Sequence, residues 1–194
     1  APAGTETTPL DDDASIPGGR VDIGASRDEP FVFDNEKWAH PVDIEAFHIA
    51  RTPVTQAQFL EFVADGGYRR SELWSDRGWR WRQASGAECP VYWRSHDDGW
   101  QRRVFDTWRE LEENVPVVHV NWYEADAWCR WAGRRLPTEP EWEVAALAEV
   151  EGDTLTGTRR RYPWADSPEP SSERANLDGD GGGLWPITSA AAGD

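Results

Sequence analysis

The chain has 194 residues, enough to bury a core, and it is strongly acidic, with 36 Asp and Glu against 20 Lys and Arg. An acidic surface repels nucleic acid and anionic membranes, so neither is expected as a partner. The sequence contains no apolar run long enough to span a bilayer and no signal-peptide pattern, which predicts a cytoplasmic protein.

Three residue types add to this outline. The cysteines are Cys89 and Cys129, too few for a disulfide framework, which fits reduced thiols in the cytoplasm. The sequence holds no methionine, so we expect it to be a portion of a longer polypeptide. Its 13 tryptophans predict a domain packed by aromatic rings rather than by regular layers.

The N-terminal third of the chain predicts an arm followed by short strands. Residues 1–15 are small, polar and acidic, as in a linker or disordered arm. Polar and apolar residues then alternate over 20–24 and, more clearly, over 42–49. This alternation is typical of half-buried strands, so we expect one strand in each range.

Two helices have recognisable ends in the middle of the chain. Thr55 is a suitable N-cap for a helix over 56–64. Asn121 and Glu124 have the spacing of a capping box, which predicts a second helix beginning there and ending near Gly133.

A third helix is predicted after Thr138, which forms a fuller capping box with Glu141. Trp142, Ala145 and Ala146 are expected on its inner face. If Trp142 is buried, its replacement by alanine should destabilise the fold strongly.

Long segments without a clear period lie between and after these helices. Residues 68–115 are rich in Trp and Arg, and the tail from Thr154 is rich in Gly, Pro and Asp, so both are expected to be mostly irregular. The predicted fold class is therefore α+β, with low regular secondary structure and long loops. Long ordered loops often carry function.

The Trp/Arg-rich segment offers a candidate substrate pocket. Aromatic faces attract quaternary ammonium groups, and Arg binds carboxylates, so the segment is suited to a cationic or zwitterionic ligand. The alternative is aromatic packing with Arg stacked on Trp. The candidate pocket residues are Tyr68, Trp74, Trp79 and Trp81.

Metal-binding and nucleophilic patterns are sparse. The four histidines have neither the helical spacing nor the neighbours of a zinc or iron site, and no activated nucleophile is recognisable. The closely spaced oxygen donors of Asn176, Leu177 and Asp178 are suited to a hard cation such as calcium. An acidic turn is the alternative interpretation.

Several stretches resemble the formylglycine-generating and sulfatase-modifying-factor superfamily. The most specific is GRRLPTEPEWE at 133–143. The others are IARTPVT at 49–55, NVPVVHVNW at 114–122 and YPWAD at 162–166, where Ala165 replaces the usual glycine. The resemblance covers roughly residues 16–185.

Two further stretches resemble the hercynine oxygenase branch of that superfamily. They are FVFDNEKWAH at 31–40 and the segment from Gly66 to Trp79. Trp38 departs from the branch, which commonly has proline at that position. This departure leaves a selenium-using, selenoneine-forming relative as an alternative.

The resemblance implies a C-type-lectin-like fold and a non-haem iron(II), oxygen-dependent sulfoxide synthase of ergothioneine biosynthesis. Its substrates would be hercynine and a thiol, γ-glutamylcysteine or cysteine. The iron ligands would come from an N-terminal helical domain and the catalytic tyrosine from the C-terminal remainder of this domain, so no catalytic residue or iron ligand is assigned here. Asn176 and the Leu177 carbonyl match a structural calcium site of formylglycine generators.

The resemblance also implies the organisation of the chain. Residues 16–194 would be the N-terminal portion of one sulfatase-modifying-factor-type domain that is incomplete at its C-terminal end. By itself such a portion is expected to be inactive. Two alternatives remain besides the selenium-using relative, namely a formylglycine-generating enzyme and a non-catalytic lectin-like binding module.

Overall fold

A computed structural model of the chain describes residues 13–97, 99–164, 170–171, 174–176 and 183–187. These residues form two units, each with its own hydrophobic core. The first unit contains the described residues of 1–51 and 137–170, and the second contains those of 52–136 and 171–191. Each unit combines helix with short antiparallel strands, which confirms the α+β prediction.

Two antiparallel strand pairs begin the first unit. Strand β1 (Asp13–Ile16) pairs with β4 (Phe47–Ala50), and β2 (Gly19–Ile23) pairs with β3 (His40–Ile44). The prediction of one strand over 42–49 is therefore wrong, because β3 and β4 have different partners. Both strands of each pair are short, as expected for a fold with little regular structure.

The last residues of the expected N-terminal arm belong to a strand. Strand β1 begins at Asp13, so residues 13–15 of the expected arm are paired with β4. Residues 1–12 lie outside the described residues.

A helix and a hairpin complete the first unit. Helix α4 (Glu139–Leu147) leads directly into β8 (Ala148–Glu151), which pairs with β9 (Thr154–Arg159). Strand β9 is an exception to the prediction that the tail from Thr154 is mostly irregular. Gly152 has a φ of +61°, which allows the tight turn, and the threonines of β9 favour extended backbone.

Aliphatic side chains from the strands and helix α4 form the core of the first unit. Each of them is at most 9% exposed, and burial of each Val, Ile or Leu side chain among them contributes about 1.5–3 kcal/mol. They are Val21, Ile23, Ile44, Val144, Ala148 and Leu155.

The second unit contains the two helices predicted in the middle of the chain. Helix α1 (Gln56–Ala64) begins after Thr55, and α3 (Trp122–Trp131) begins after Asn121. Both N-caps form complete capping boxes, which confirms the box predicted at Asn121 and adds one at Thr55, where the sequence indicated only a cap. These caps satisfy backbone N–H groups at the first turn, which is why the helix starts are fixed locally.

The structure adds a helix and a sheet within 68–115, where irregular chain was expected. Helix α2 (Asp76–Ser85) begins at the Ser75 cap and ends at Gly86, whose φ is +66°. Strands β5 (Trp93–His96), β6 (Gly99–Val104) and β7 (Thr107–Glu110) follow as an antiparallel meander. Because Trp and Arg dominate this segment, the sequence of α2 shows no clear helical period of apolar residues.

Aromatic rings fill the core of the second unit, as the tryptophan content predicted. Phe59 contacts Phe62 and Trp93 edge to face, at centroid distances of 5.5 and 6.0 Å. Trp128 of α3 is 3% exposed and donates its indole hydrogen to the Gln58 carbonyl over 3.2 Å. Helix α3 is thereby joined to α1 through packing and a hydrogen bond.

The inner face of α4 differs from the prediction. Trp142 is 63% exposed, whereas Glu141 and Val144 are buried. The Glu141 side chain accepts a hydrogen bond from the Thr138 backbone N–H at 2.8 Å, which turns residue 141 inward and leaves its neighbour 142 outside. Ala145 and Ala146 are partly buried.

The exposures of Trp142 and Trp128 predict opposite outcomes for the same substitution. Trp142→Ala should change the free energy of unfolding by less than about 0.5 kcal/mol, as surface replacements do. Trp128→Ala should lower it by roughly 3–5 kcal/mol, because it opens a cavity and removes a buried hydrogen bond. Urea denaturation measures both, and equal losses would contradict the burial pattern.

Candidate functional site

The candidate site in the second unit is built around the segment that follows α1. Gly66, with a φ of +76°, ends the helix, and two 3₁₀ turns, Gly67–Arg69 and Ser71–Leu73, follow. A Cβ at Gly67 would lie 2.1 Å from the Phe62 ring, so only glycine fits there. This close approach directs Tyr68 into the core.

Tyr68 makes a buried hydrogen bond with a carboxyl group of α3. Its hydroxyl lies 2.5 Å from Glu124 Oε1, and the two residues are 2% and 3% exposed. Glu124 Oε2 accepts the Asn121 backbone N–H at 2.8 Å as part of the capping box. One carboxyl group therefore caps α3 and binds the turn after α1.

Burial sets the protonation of this pair. It raises the pKa of Glu124 above its ordinary value, although the hydrogen bonds from Tyr68 and Asn121 oppose the rise. Burial and the nearby Glu124 carboxyl raise the pKa of Tyr68 as well. The half-buried Cys89 thiol has a raised pKa for the same two reasons. Negative charge is thus disfavoured throughout this part of the core.

The structure brings three of the four predicted pocket residues together. The ring of Trp74 lies 5.4 Å from Tyr68 and stacks on Trp81 at 6.0 Å. Trp81 in turn faces Tyr123 at 6.2 Å. Trp74 also donates its indole hydrogen to the Gly67 carbonyl over 2.9 Å, which fixes the orientation of the stack.

The four residues differ in access to solvent. Tyr68 and Trp74 have buried side chains, whereas Trp79 and Trp81 are half-buried. Trp79 does not join the stack. The Arg82 guanidinium lies over its ring, 5.6 Å from the ring centroid. Of these four residues, only Trp79 and Trp81 present aromatic surface that a ligand could contact.

Metal-binding groups are dispersed in the part of the chain that the structure describes. No three His, Cys, Asp or Glu side chains come together there. Of the calcium candidates, Asn176 donates its amide hydrogen to the Gly183 carbonyl over 2.7 Å, leaving the amide oxygen for another partner. Leu177 and Asp178 lie outside the described residues.

The sequence indicated Glu124 only as a capping residue. Its contact with Tyr68 joins positions 56 residues apart, and no local pattern reveals such a pair. A second feature was also missed, a cleft in the first unit between residues 24–36 and α4. The sequence feature that could have indicated this cleft is the FVFDNE stretch, which places two aromatic residues beside carboxylates.

Comparison with known proteins identifies the family. The model of the sulfatase-modifying factor enzyme 1-like domain matches residues 1–191. The chain belongs to this family, and the C-type-lectin-like fold implied by the motifs is confirmed. In the described part of the chain, no helix is long and apolar enough to cross a membrane.

Within the family, the chain is similar to hercynine oxygenases. It is 47% identical over 152 residues to hercynine oxygenase of Mycobacterium tuberculosis, covering 78% of this chain and 34% of the relative. It is 44% identical over 179 residues to hercynine oxygenase of Mycolicibacterium smegmatis, covering 92% of this chain and 40% of the relative. The formylglycine-generating enzyme of Streptomyces coelicolor is 34% identical over 174 residues, and this match covers 84% of this chain and 53% of the relative.

These matches confirm the resemblance to the hercynine oxygenase branch. The chain spans about a third to two-fifths of the length of the hercynine oxygenases that it matches.

The raised pKa of Glu124 predicts a pH-dependent stability. The protonated Glu124 side chain contributes its full share of the folding stability below about pH 4.5, where an unburied glutamate titrates. This contribution is lost as the pH rises through the raised pKa of Glu124 in the folded state. The free energy of unfolding of the wild type relative to Glu124→Gln should therefore fall with rising pH. Urea denaturation of both proteins over a pH series measures this difference, and a constant difference would contradict it.

A matched variant separates the hydrogen bond from the charge. Tyr68→Phe keeps the ring contacts and removes the donor, so it should cost about 1–3 kcal/mol at neutral pH. Because the lost hydrogen bond lowered the pKa of Glu124, this variant should also shift the pH dependence upward. An unchanged pH profile would show that Tyr68 does not act on the Glu124 proton.

Proposed function

We propose that this chain is the scaffold part of a hercynine oxygenase-type enzyme of ergothioneine biosynthesis. The complete enzyme would be an iron(II)- and oxygen-dependent sulfoxide synthase that joins hercynine to the thiol of γ-glutamylcysteine or cysteine. The observation that carries the proposal is the 44–47% identity to three hercynine oxygenases, against 34% for the formylglycine-generating enzyme of Streptomyces coelicolor.

The iron ligands of such an enzyme are proposed to lie outside this chain. The described residues do not fit an iron site, because their His, Cys, Asp and Glu side chains do not cluster in threes. An N-terminal helical domain and the remainder of the present domain are the proposed partners of this chain.

The contribution that we propose for this chain is an aromatic surface for the cationic substrate. Hercynine carries a trimethylammonium group, which aromatic faces attract. The half-buried Trp79 and Trp81 would supply those faces, while Tyr68 and Trp74 support Trp81 from the core. The Tyr68–Glu124 hydrogen bond would keep this support in place.

A structural calcium ion near Asn176 is a separate proposal. Its support is the resemblance of this position to the calcium site of formylglycine generators and the oxygen donors in the sequence. The Asn176 amide donates through its nitrogen to Gly183, which leaves its oxygen suitable as a ligand.

The activity is tested with the complete enzyme, supplied with Fe(II), oxygen, hercynine and either γ-glutamylcysteine or cysteine. Mass spectrometry should detect a sulfoxide product with one of the thiols. If neither thiol gives a sulfoxide, the proposed activity is wrong, and conversion of a sulfatase-derived cysteine peptide to formylglycine would favour the alternative enzyme.

The aromatic surface is tested in the same assay with Trp81→Ala. We expect the KM for hercynine to rise about two- to fivefold, as for loss of an exposed cation–π contact, with the KM for the thiol unchanged. Trp122→Ala, an exposed tryptophan of α3, is the matched control. If the two variants behave alike, Trp81 does not contact hercynine.

The calcium proposal predicts a chelator-sensitive melting temperature. Bound calcium at a hundredfold excess over its Kd would add about 2.7 kcal/mol to the stability, so EDTA should lower the melting temperature of the wild type. Asn176→Ala should lose this sensitivity, whereas Asn176→Asp retains an oxygen donor and should keep it. Equal melting of the wild type with and without calcium would remove the proposal.

A further inference from the structure

The first unit contains an open cleft that takes no part in the function proposed above. Its volume is about 480 Å³, within the roughly 300–1,000 Å³ typical of ligand sites. Residues 24–36 form one wall, and α4 together with Arg159 of β9 forms the other. All of these residues belong to the first unit.

Aromatic rings line both walls of the cleft and remain exposed. Phe31, Phe33 and Trp142 are 70%, 65% and 63% exposed. Phe31 and Phe33 contact each other edge to face at 4.9 Å, so one wall is a paired aromatic surface. Large apolar side chains grouped in this way on a surface mark an interaction site.

The cleft carries more negative charge than its own cation can neutralise. Arg159 forms an ion pair with Glu143 and donates to the Gly24 carbonyl at 3.0 Å, so its charge is already engaged. Glu29, Glu36 and Glu139 also line the cleft, and no described cation forms an ion pair with them. Glu139 lies in the first turn of α4.

These features select an organic cation rather than a metal ion. The carboxylates of the described residues do not cluster as metal ligands do. A guanidinium group both stacks on aromatic rings and binds carboxylates, whereas a metal ion would leave the aromatic walls without a partner. Aromatic residues and arginine are also enriched where polypeptides meet.

We propose that the cleft binds an arginine side chain on a polypeptide segment from outside this chain. The guanidinium group lies between the Phe31–Phe33 wall and Trp142, and the carboxylates around it neutralise its charge. A segment rather than a small molecule is the occupant because the cleft is open and its aromatic side chains extend to the surface. Such a segment covers all three exposed rings at once.

The experiment uses the 194-residue chain with ¹⁵N-labelled tryptophan and the blocked peptide acetyl-Gly-Arg-Gly-amide. Addition of this peptide should shift the NMR signal of the Trp142 indole, which is assigned by its absence from the spectrum of Trp142→Ala. The control peptide acetyl-Gly-Gln-Gly-amide, which lacks the guanidinium group, should bind more weakly. Glu139→Gln should raise the Kd about two- to fivefold, as expected for one exposed ion pair. Glu151→Gln, an exposed carboxylate on β8 outside the cleft, should leave the Kd unchanged.

Three outcomes overturn the proposal. If the Arg and Gln peptides bind equally, the cleft does not recognise a cation. If Glu151→Gln weakens binding as much as Glu139→Gln, the attraction comes from the overall acidity of the chain. If tetramethylammonium binds more tightly than the Arg peptide, the site is one for small ammonium ions. Thermal melts of each variant ensure that loss of folding is not mistaken for loss of binding.

Discussion

The Tyr68–Glu124 hydrogen bond is the contact on which the second unit depends most directly. It places a polar pair in an aromatic core, where an unsatisfied carboxyl group would be costly. Glu124 accepts one hydrogen bond from the first turn of α3 and one from the turn after α1, so a single side chain fixes the relation between the two helices. Trp74 and Trp81 stack outward from Tyr68, which links this buried pair to the half-buried surface.

The conspicuous motifs of the sequence have structural roles in the fold. The capping boxes and the aromatic core account for Thr55, Asn121, Glu124 and many of the tryptophans that the sequence made conspicuous. The part of the chain that the structure describes brings no metal-binding group of three together. The recognisable motifs therefore have structural roles in this part of the chain.

The two units present different surfaces to possible ligands. The aromatic stack of the second unit is supported by a buried pair whose negative charge is disfavoured. The cleft of the first unit combines exposed aromatic rings with several carboxylates. Both surfaces are proposed to bind cations, but only the cleft is lined by several carboxylates, so the proposed binding of a guanidinium group there should weaken more strongly with salt.

The sequence by itself determined the family, the α+β class and the starts of α1, α3 and α4, because capping residues act on backbone groups within three positions. It did not determine that Trp142 is exposed or that β3 and β4 have different partners. Only the tertiary structure decided the buried pair, the stack from Tyr68 to Trp81 and the cleft at Trp142. These features join residues far apart in the chain, and their geometry depends on how whole elements pack rather than on any local spacing.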